Sequence, residues 1–144
     1  MPRRLLALPV AAALALGACR TAAPGGTVAA VAAAPNAMYT PVVRAGDLLF
    51  LAGKVAGDSL GKGIRAETRE ILSLIRRDLE AAGSGMDKVA KCTVFLVDIA
   101  EWGAMNEAYV PFFPGVKPAR TAVQIVATPR AGARVEIECV AAAR

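Results

Sequence analysis

The alternating polarity of the last predicted strand constrains the fold of this chain more than any other feature of its sequence. Between Arg134 and Ala141, one set of alternate positions is apolar and the other includes two carboxylates: Val135, Ile137 and Cys139 against Glu136, Glu138 and Val140. Because successive side chains of a strand point to opposite faces, this strand buries one face and exposes the other. The polar face needs either water alone or further copies of the chain that enclose a polar interior.

The rest of the sequence predicts four more strands and two helices. Apolar residues recur at helical spacing from Ile64 to Leu79, and Gly83 marks the end of this first helix. Asp98 and Glu101 match a capping box that begins a second helix, which ends before the prolines at 111 and 114. Strands are predicted at 39–43, 47–52, 88–97, 121–127 and 134–141. The order ββαβαββ indicates an α+β domain whose two helices can cover only one face of the sheet.

The first 18 residues have the three parts of an export signal: two arginines, an apolar run over 5–16 and small residues before Cys19. As a helix the apolar run reaches only about 18 Å, short of the ~30 Å hydrocarbon core, so a transmembrane span is the weaker interpretation. Residues 16–19, Leu-Gly-Ala-Cys, resemble the bacterial lipobox, which implies cleavage before Cys19 and lipidation of its thiol. An ordinary free thiol is the alternative. The residue after Cys19 is Arg20 and not Asp, which resembles the pattern of lipoproteins sorted to the outer membrane of Gram-negative bacteria. We therefore expect an exported lipoprotein on the periplasmic side of the outer membrane.

Residues 19–37 are rich in Ala, Pro, Gly, Thr and Val, and after Arg20 they have no charge and no helical or strand period. This composition predicts a flexible tether between a lipid anchor at Cys19 and a folded domain over 38–144. Loss of Arg3 and Arg4 with the signal lowers the formal charge from +5 to +3. Since the chain has no Lys/Arg run and no basic–aromatic interleaving, we expect no nucleic-acid binding.

The 144 residues include no His, which excludes many kinds of site. The chain can form no Ser-His-Asp triad, no Cys-His nucleophile pair and no His-ligated metal site. Acid–base chemistry then depends on carboxylates, Tyr, Cys, Lys or water. Cys92 and Cys139 each lie within an apolar strand pattern. We expect two buried free thiols, although an exported domain also allows a disulfide.

The glycine-rich segment 57–63 superficially resembles a phosphate-binding loop. Its spacing is one residue short, and Gly63 stands where a hydroxyl would have to bind Mg²⁺. The segment therefore predicts a flexible connection rather than a nucleotide site.

Six segments together resemble the Rid/YjgF family of enamine/imine deaminases. In order within residues 38–142 they are 46–53, 79–83, 94–98, 106–113, 118–121 (Pro-Ala-Arg-Thr) and 135–138 (Val-Glu-Ile-Glu). The Pro-Ala-Arg-Thr segment with its following strand is the most specific of them. The resemblance implies a chorismate-mutase-like fold, a mixed sheet with two helices on one face, a homotrimer and ligand clefts between adjacent subunits. Such a trimer supplies the partner that the polar sheet face requires.

The resemblance also implies an activity, the hydrolysis of reactive 2-aminoacrylate-type enamines, through their imine tautomers, to 2-oxo acids and ammonia. The family uses no metal and no organic cofactor. Arg120 matches its substrate-binding arginine, whose guanidinium can hold a carboxylate through two parallel hydrogen bonds. Glu136 matches the glutamate that handles the attacking water. An alternative is that these two side chains form a structural ion pair across the sheet.

Four further positions match the family's cleft. Tyr39 and Asn106 match side chains that line it; the alternatives are an interface aromatic for Tyr39 and a solvated helix residue for Asn106. The backbone at Gly53 and Ala122 would contact the substrate. Family members often have Ser-Gly-Gln at 52–54 and Cys at 122, where this chain has Ala-Gly-Lys and Ala. These departures keep a second function open, a non-catalytic envelope lipoprotein that binds small carboxylates.

Overall fold

The computed structural model describes residues 28–32 and 37–144 of the chain. In this part, a mixed sheet of six strands packs against two helices. The elements are β1 (Val28–Ala32), β2 (Val42–Ala45), β3 (Leu48–Val55), α1 (Ile64–Ala81), β4 (Val89–Leu96), α2 (Trp102–Tyr109), β5 (Ala119–Gln124) and β6 (Val135–Ala142). The strands lie in the order β1-β2-β3-β6-β4-β5, with β4 and β5 parallel and all other neighbours antiparallel. The predicted α+β class with a mixed sheet is confirmed.

Helix α1 packs its apolar stripe against the sheet, as its sequence pattern predicts. It contacts β3, β6 and α2, and the largest side chains of the stripe are fully buried: Ile71, Leu72, Ile75 and Leu79. The helix ends at the predicted glycine, where Gly83 has a φ of +75°. The Gly83 N–H donates to the Glu80 carbonyl at 3.0 Å and the Ser84 N–H to the Leu79 carbonyl at 2.9 Å. This pair of bonds satisfies the last carbonyls of the helix.

Helix α2 begins differently from the prediction. The Asp98 side chain accepts a hydrogen bond from the Ala100 N–H at 2.9 Å, so it does cap the segment. Glu101 does not complete a capping box, because its carboxylate binds the Arg134 guanidinium at 2.7 Å. A 3₁₀ turn over Ile99–Glu101 therefore precedes the α-helix, which runs from Trp102 and ends before the first proline, as predicted.

The sheet has one covered and one open face, in agreement with the alternation in β6. Val135 and Ile137 are fully buried beneath the helices, whereas Glu138 is exposed. The open face also has large apolar side chains with substantial exposure, including Phe50 in β3 and Val123 in the edge strand β5. Apolar groups exposed around a polar centre are typical of a surface that another protein covers.

The favoured prediction of two free thiols is wrong, because Cys92 and Cys139 form a disulfide. The two residues are directly paired in the antiparallel strands β4 and β6, and their Cα atoms are 4.1 Å apart. Both belong to the core, with 0% and 2% of their surface exposed. The sequence shows only that each cysteine lies in an apolar strand. It does not show that the fold places these two strands side by side.

The structure also corrects the predicted tether. Residues 28–32 form strand β1, which pairs with β2 from Val28 opposite Ala45 to Ala32 opposite Val42. The small, uniform side chains of this segment give no alternation to detect, and backbone hydrogen bonds at a sheet edge do not require one. The ordered domain therefore begins before residue 38.

The export signal, the lipobox and Cys19 lie outside the described residues, and they stay predictions. Of the helices that the structure does describe, neither is long and apolar enough to cross a bilayer.

Candidate active site

The predicted site residues fall into two groups on opposite faces of the sheet. Arg120 in β5 pairs with Cys92, whose side chain lies in the core under the helices, and its guanidinium contacts rings of α2. Glu136 alternates with buried neighbours in β6 and so lies on the open face. Within one protomer these two side chains do not meet. Neither takes part in the ion pairs of the described residues, which are Lys54–Asp78, Arg65–Glu107 and Arg134–Glu101. The alternative of an Arg120–Glu136 ion pair is wrong for the protomer.

Two aromatic rings of α2 hold the Arg120 side chain. Its Cζ lies 4.7 Å from the centre of the Tyr109 ring and 5.9 Å from that of Trp102, distances at which cation–π attraction operates. Beside Arg120 is a pocket of about 180 Å³, lined by Tyr109, Val110, Phe113, Lys117, Pro118 and Arg120. This lining includes two cations and no carboxylate, so the pocket favours an anion.

Two buried polar groups of α2 have no hydrogen-bond partner in the described part of the chain. They are Asn106 Oδ1 and the Tyr109 hydroxyl, and their spacing of three residues puts them on the same side of the helix. The alternative that Asn106 is a solvated helix residue does not fit its buried oxygen. Burial raises the pKa of Tyr109 to about 12, although the Arg120 charge acts in the opposite direction. Such unpaired buried groups are typical of a site that a ligand or another protomer completes.

Gly53 and Glu136 form the second group, at a β-bulge. The register moves from Leu51 opposite Cys139 to Lys54 opposite Ile137, so an extra residue is inserted in β3 at this point. A Cβ at Gly53 would lie 2.9 Å from Glu136 Cδ and closer still to its Oε1. Only glycine therefore leaves room for the Glu136 carboxylate in its observed position.

The environment of Glu136 favours its neutral form more than water does. Burial raises the pKa of Glu136, and the nearby negative charge of Glu138 raises it further. A carboxyl whose pKa is raised is a stronger base when ionised, and this is the property that proton transfer from water requires.

The remaining predicted site residues are less well defined in the protomer. Tyr39 precedes β2 and is 61% exposed, so the protomer alone does not bring it into the anion pocket. Ala122 lies two residues beyond Arg120 in β5, and thus on the same face, where it packs partly buried against the core. The structure brings Arg120, Asn106 and Ala122 to one side of the molecule and Gly53 and Glu136 to the other.

Tyr109 and Trp102, which are not among the predicted site residues, lie beside Arg120 in the structure. A signal for both was present. Positions 102, 106 and 109 follow the i, i+4, i+7 spacing of one helix face, so a site assigned to Asn106 implies that its two aromatic neighbours face the same space.

The prediction of a flexible glycine-rich connection is also wrong. The N–H groups of Gly57, Asp58 and Ser59 donate to the Glu70 carboxylate at 2.7–2.9 Å, and the Ser59 hydroxyl donates to it as well. Burial acts to raise the pKa of Glu70, but these hydrogen bonds from Ser59, Gly57 and Asp58 outweigh it and lower the pKa to about 2. Backbone amides that converge in this way commonly bind phosphate. Here a side chain of α1 occupies them, which agrees with the prediction that the loop is not a nucleotide site.

A larger pocket of about 830 Å³ lies elsewhere in the described region, between the end of α1 and residues 111–116. None of the predicted site residues lines it, so its size does not make it the candidate site. Across residues 28–32 and 37–144, no cluster of three or more Cys, Asp or Glu side chains could hold a metal ion.

Comparison with known proteins decides the family. The sequence profile of the endoribonuclease L-PSP family matches residues 29–143. The chain belongs to this family. The match includes β1, in agreement with the earlier start of the domain that the structure shows. Since the Rid/YjgF proteins are members of the same family, the predicted resemblance to them is confirmed.

Several relatives within the L-PSP family carry deaminase names. The chain is 36% identical to a mouse protein named 2-iminobutanoate/2-iminopropanoate deaminase, over 72% of this chain and 79% of that protein. It is 33% identical to Reactive Intermediate Deaminase A of Arabidopsis thaliana, over 75% of this chain and 61% of that protein. A 37% identical relative from Pyrococcus horikoshii, covering 74% of this chain and 88% of its own, is named only as a RutC family protein.

Solved structures of L-PSP family members have the same fold. A YjgF family protein from Neisseria meningitidis has a TM-score of 0.75 at 28% identity, over 83% of this chain and 98% of that chain. The RidA of an Antarctic Psychrobacter has a TM-score of 0.69 at 30% identity, over 79% and 95%. The chorismate-mutase-like fold expected from the resemblance is therefore confirmed.

Proposed function

We propose that this protein hydrolyses 2-imino acids, and the enamines that tautomerise to them, to 2-oxo acids and ammonia at sites shared between the subunits of a homotrimer. The deaminase names of two relatives support the reaction class. The main support for a shared site is that Arg120 and Glu136 lie on opposite faces of one sheet, so that a single subunit cannot bring both to one ligand.

The chemistry needs few groups, because an imine carbon is already electrophilic. The Arg120 guanidinium binds the substrate carboxylate and orients the adjacent C=N bond. Glu136 accepts a proton as water adds to that carbon and returns it to the nitrogen, which gives a tetrahedral adduct with one hydroxyl and one amino group. Glu136 then passes the hydroxyl proton to the amino nitrogen, so the C–N bond breaks, ammonia leaves and the C=O bond of the 2-oxo acid forms. The raised pKa of Glu136 suits this exchange. The protein needs no histidine for any of these steps, in accordance with its composition.

The shared site follows from the two half-sites. The Arg120 half lies beside edge strand β5, where the sheet of a protomer ends. The Glu136 half lies on an open face that also exposes apolar side chains. When β5 of one protomer approaches the open face of its neighbour, the anion pocket and the carboxylate come together. Closure by three-fold rotation repeats this contact three times and leaves no open end.

Direct assays test the reaction and the site. An amino-acid oxidase generates 2-iminopropanoate or 2-iminobutanoate in situ, and semicarbazide trapping measures how fast the imine disappears. The wild-type protein should accelerate this loss. Replacement Arg120→Lys keeps the charge but not the two-pronged hydrogen bonding, and it should lower kcat/KM by roughly 10²-fold. Absence of acceleration with small, aromatic and basic imino acids would contradict the proposed reaction.

Mixing two inactive variants tests the shared site. Arg120→Ala and Glu136→Gln should each be nearly inactive, and co-refolding them in equal amounts should restore about a quarter of the wild-type sites, because each site takes one residue from each neighbour. The double variant Arg120→Ala/Glu136→Gln, refolded alone, is the control and should stay inactive. No recovery, or a monomer in light scattering, would exclude the shared site.

The same assays separate catalysis from the alternative of a non-catalytic carboxylate binder. Stabilisation of the protein by 2-oxo acids without imine turnover would favour that alternative. Although the family is named endoribonuclease L-PSP, we expect no RNA cleavage by this protein. The absence of His and of a basic–aromatic pattern supports this expectation.

We also propose that the chain is exported and anchored through lipid on Cys19, with the outer membrane as its destination. The signal pattern of residues 1–19 supports this proposal, as does a buried disulfide, since such bonds persist in oxidising compartments. Metabolic labelling with a radioactive fatty acid should mark the wild-type protein and not the Cys19→Ala variant. A labelled variant or an unlabelled wild type would contradict the anchor.

A further inference from the structure

The Tyr109 hydroxyl is a buried polar group that the proposed reaction does not yet use. Tyr109 is only 4% exposed, and its hydroxyl has no hydrogen-bond partner in residues 28–32 and 37–144. Its ring packs against Phe113, with ring centres 4.8 Å apart. A phenylalanine would make the same packing contacts without burying an unpaired hydroxyl, and leaving such a group unpaired costs free energy. The hydroxyl therefore fits a partner that arrives from outside the protomer.

The position of Tyr109 indicates which partner. The side chain lines the anion pocket of about 180 Å³ together with Arg120 and Lys117, and Arg120 Cζ lies 4.7 Å from its ring centre. The charged side chains of this lining are both cations. A hydrogen-bond donor among cations fits an anion with acceptor oxygens, as a carboxylate has.

We propose that Tyr109 is a ligand-binding residue, whose ring positions the Arg120 guanidinium and whose hydroxyl donates a hydrogen bond to the carboxylate of the bound 2-imino or 2-oxo acid. This inference rests on the proposed function, because it assigns a third contact to the same ligand. The second aromatic contact of Arg120, to Trp102 at 5.9 Å, restrains the guanidinium further.

The protonation state of Tyr109 supports donation. Burial raises the pKa of Tyr109 to about 12, with Arg120 acting in the opposite direction, so the hydroxyl keeps its proton throughout the neutral range. The hydrogen bond forms in the ground state as well as in the transition state. It therefore contributes mainly to KM and to ligand affinity rather than to kcat.

Three variants test the inference. Tyr109→Phe keeps the ring and removes only the hydroxyl, and it should raise the KM for 2-iminobutanoate and the Kd for 2-oxobutanoate by about tenfold or more, with little change in kcat. Tyr109→Leu also removes the ring, so kcat should fall as well. Phe112→Leu is the matched control, because Phe112 makes the same kind of contact with Arg76, at 5.7 Å, and should leave all three constants unchanged.

A second measurement keeps the inference testable if a variant folds poorly. The chain has two tyrosines, so protein with ¹³C at the tyrosine ζ position gives two NMR signals, and Tyr39→Phe identifies the one from Tyr109. Titration with 2-oxobutanoate should shift the Tyr109 signal.

The possible failures are distinguishable. If the wild type binds 2-oxobutanoate and hydrolyses the imine, but Tyr109→Phe has the same Kd and KM or the Tyr109 signal does not move, this inference alone is overturned. If the wild type neither binds the 2-oxo acid nor accelerates imine loss, the proposed function and this inference fail together.

Discussion

Breaking the Cys92–Cys139 disulfide should destabilise the domain by about 4 kcal/mol. The bond joins residues with a sequence separation of 47, and the chain entropy released in the unfolded state on opening a loop of that length amounts to about 4 kcal/mol at 25 °C. In the native state the change is small, because β4 and β6 remain hydrogen-bonded neighbours at the centre of the sheet. The loss should therefore arise mostly from a freer unfolded chain.

Urea unfolding, followed by circular dichroism, measures this difference. The protein should have Cys19 replaced by Ser, so that the third cysteine does not exchange with the other two. Because both cysteines are buried, reduction has to be carried out in denaturant before refolding with reductant present. The melting temperature should fall by about 15 °C along with the ~4 kcal/mol loss. The double variant Cys92→Ala/Cys139→Ala is the control, and reductant should not change its stability.

Two results would refute this reasoning. One is a difference of less than about 1 kcal/mol between the oxidised and reduced proteins, since the chain-entropy argument requires several times more. The other is a thiol titration of unfolded, unreduced protein that finds both cysteines free.

Three further predictions concern carboxylates and the space around them. Gly53→Ala should push the Glu136 carboxylate out of position, because the new Cβ overlaps it, and should lower kcat/KM by roughly 10²-fold with little change in melting temperature; full activity would contradict the close approach. Glu138→Gln removes a charge that raises the pKa of Glu136, so the acidic limb of the kcat/KM profile, where activity rises with pH as Glu136 ionises, should move to lower pH; a shift to higher pH, or none, would contradict that coupling. The pKa of Glu70 is lowered from 4.5 to about 2, so its ionised form stabilises the folded protein fully above the unfolded pKa, and this stabilisation is lost as the pH falls toward 2. Between neutral pH and pH 2, the free energy of unfolding, measured with urea, should therefore fall by roughly 1–2 kcal/mol more in the wild type than in Glu70→Gln, after allowance for solvent screening.

The sequence predicted the elements whose side chains follow a period. In both α1 and β6, the apolar side chains that are buried in the structure are the ones that the pattern of the sequence predicts to be buried. Asp98 and the prolines predict the second helix, but Glu101 pairs with Arg134 and does not complete the capping box. That partner comes from a distant strand, and local spacing carries no information about it.

What the sequence could not show depends on strand adjacency and on backbone pairing. The disulfide requires β4 beside β6, and β1 pairs through a backbone whose side chains have no pattern. The alternation in β6 predicts the polar face on which Glu136 lies, whereas Arg120 is singled out only by the family resemblance, and the roles of both residues stay predictions. The fact that they lie on opposite faces follows from the register of β5 and β6, and this register is a property of the folded sheet.

The early start of β1 has a consequence for how the protein would sit on a membrane. Eight residues, 20–27, separate the predicted lipidated cysteine from Val28, and they span at most about 28 Å even when fully stretched. Each subunit of a trimer would thus be joined to the bilayer by a short linker that leads into the edge strand β1. Three equal linkers related by the rotation axis of a trimer would favour an orientation with that axis perpendicular to the bilayer.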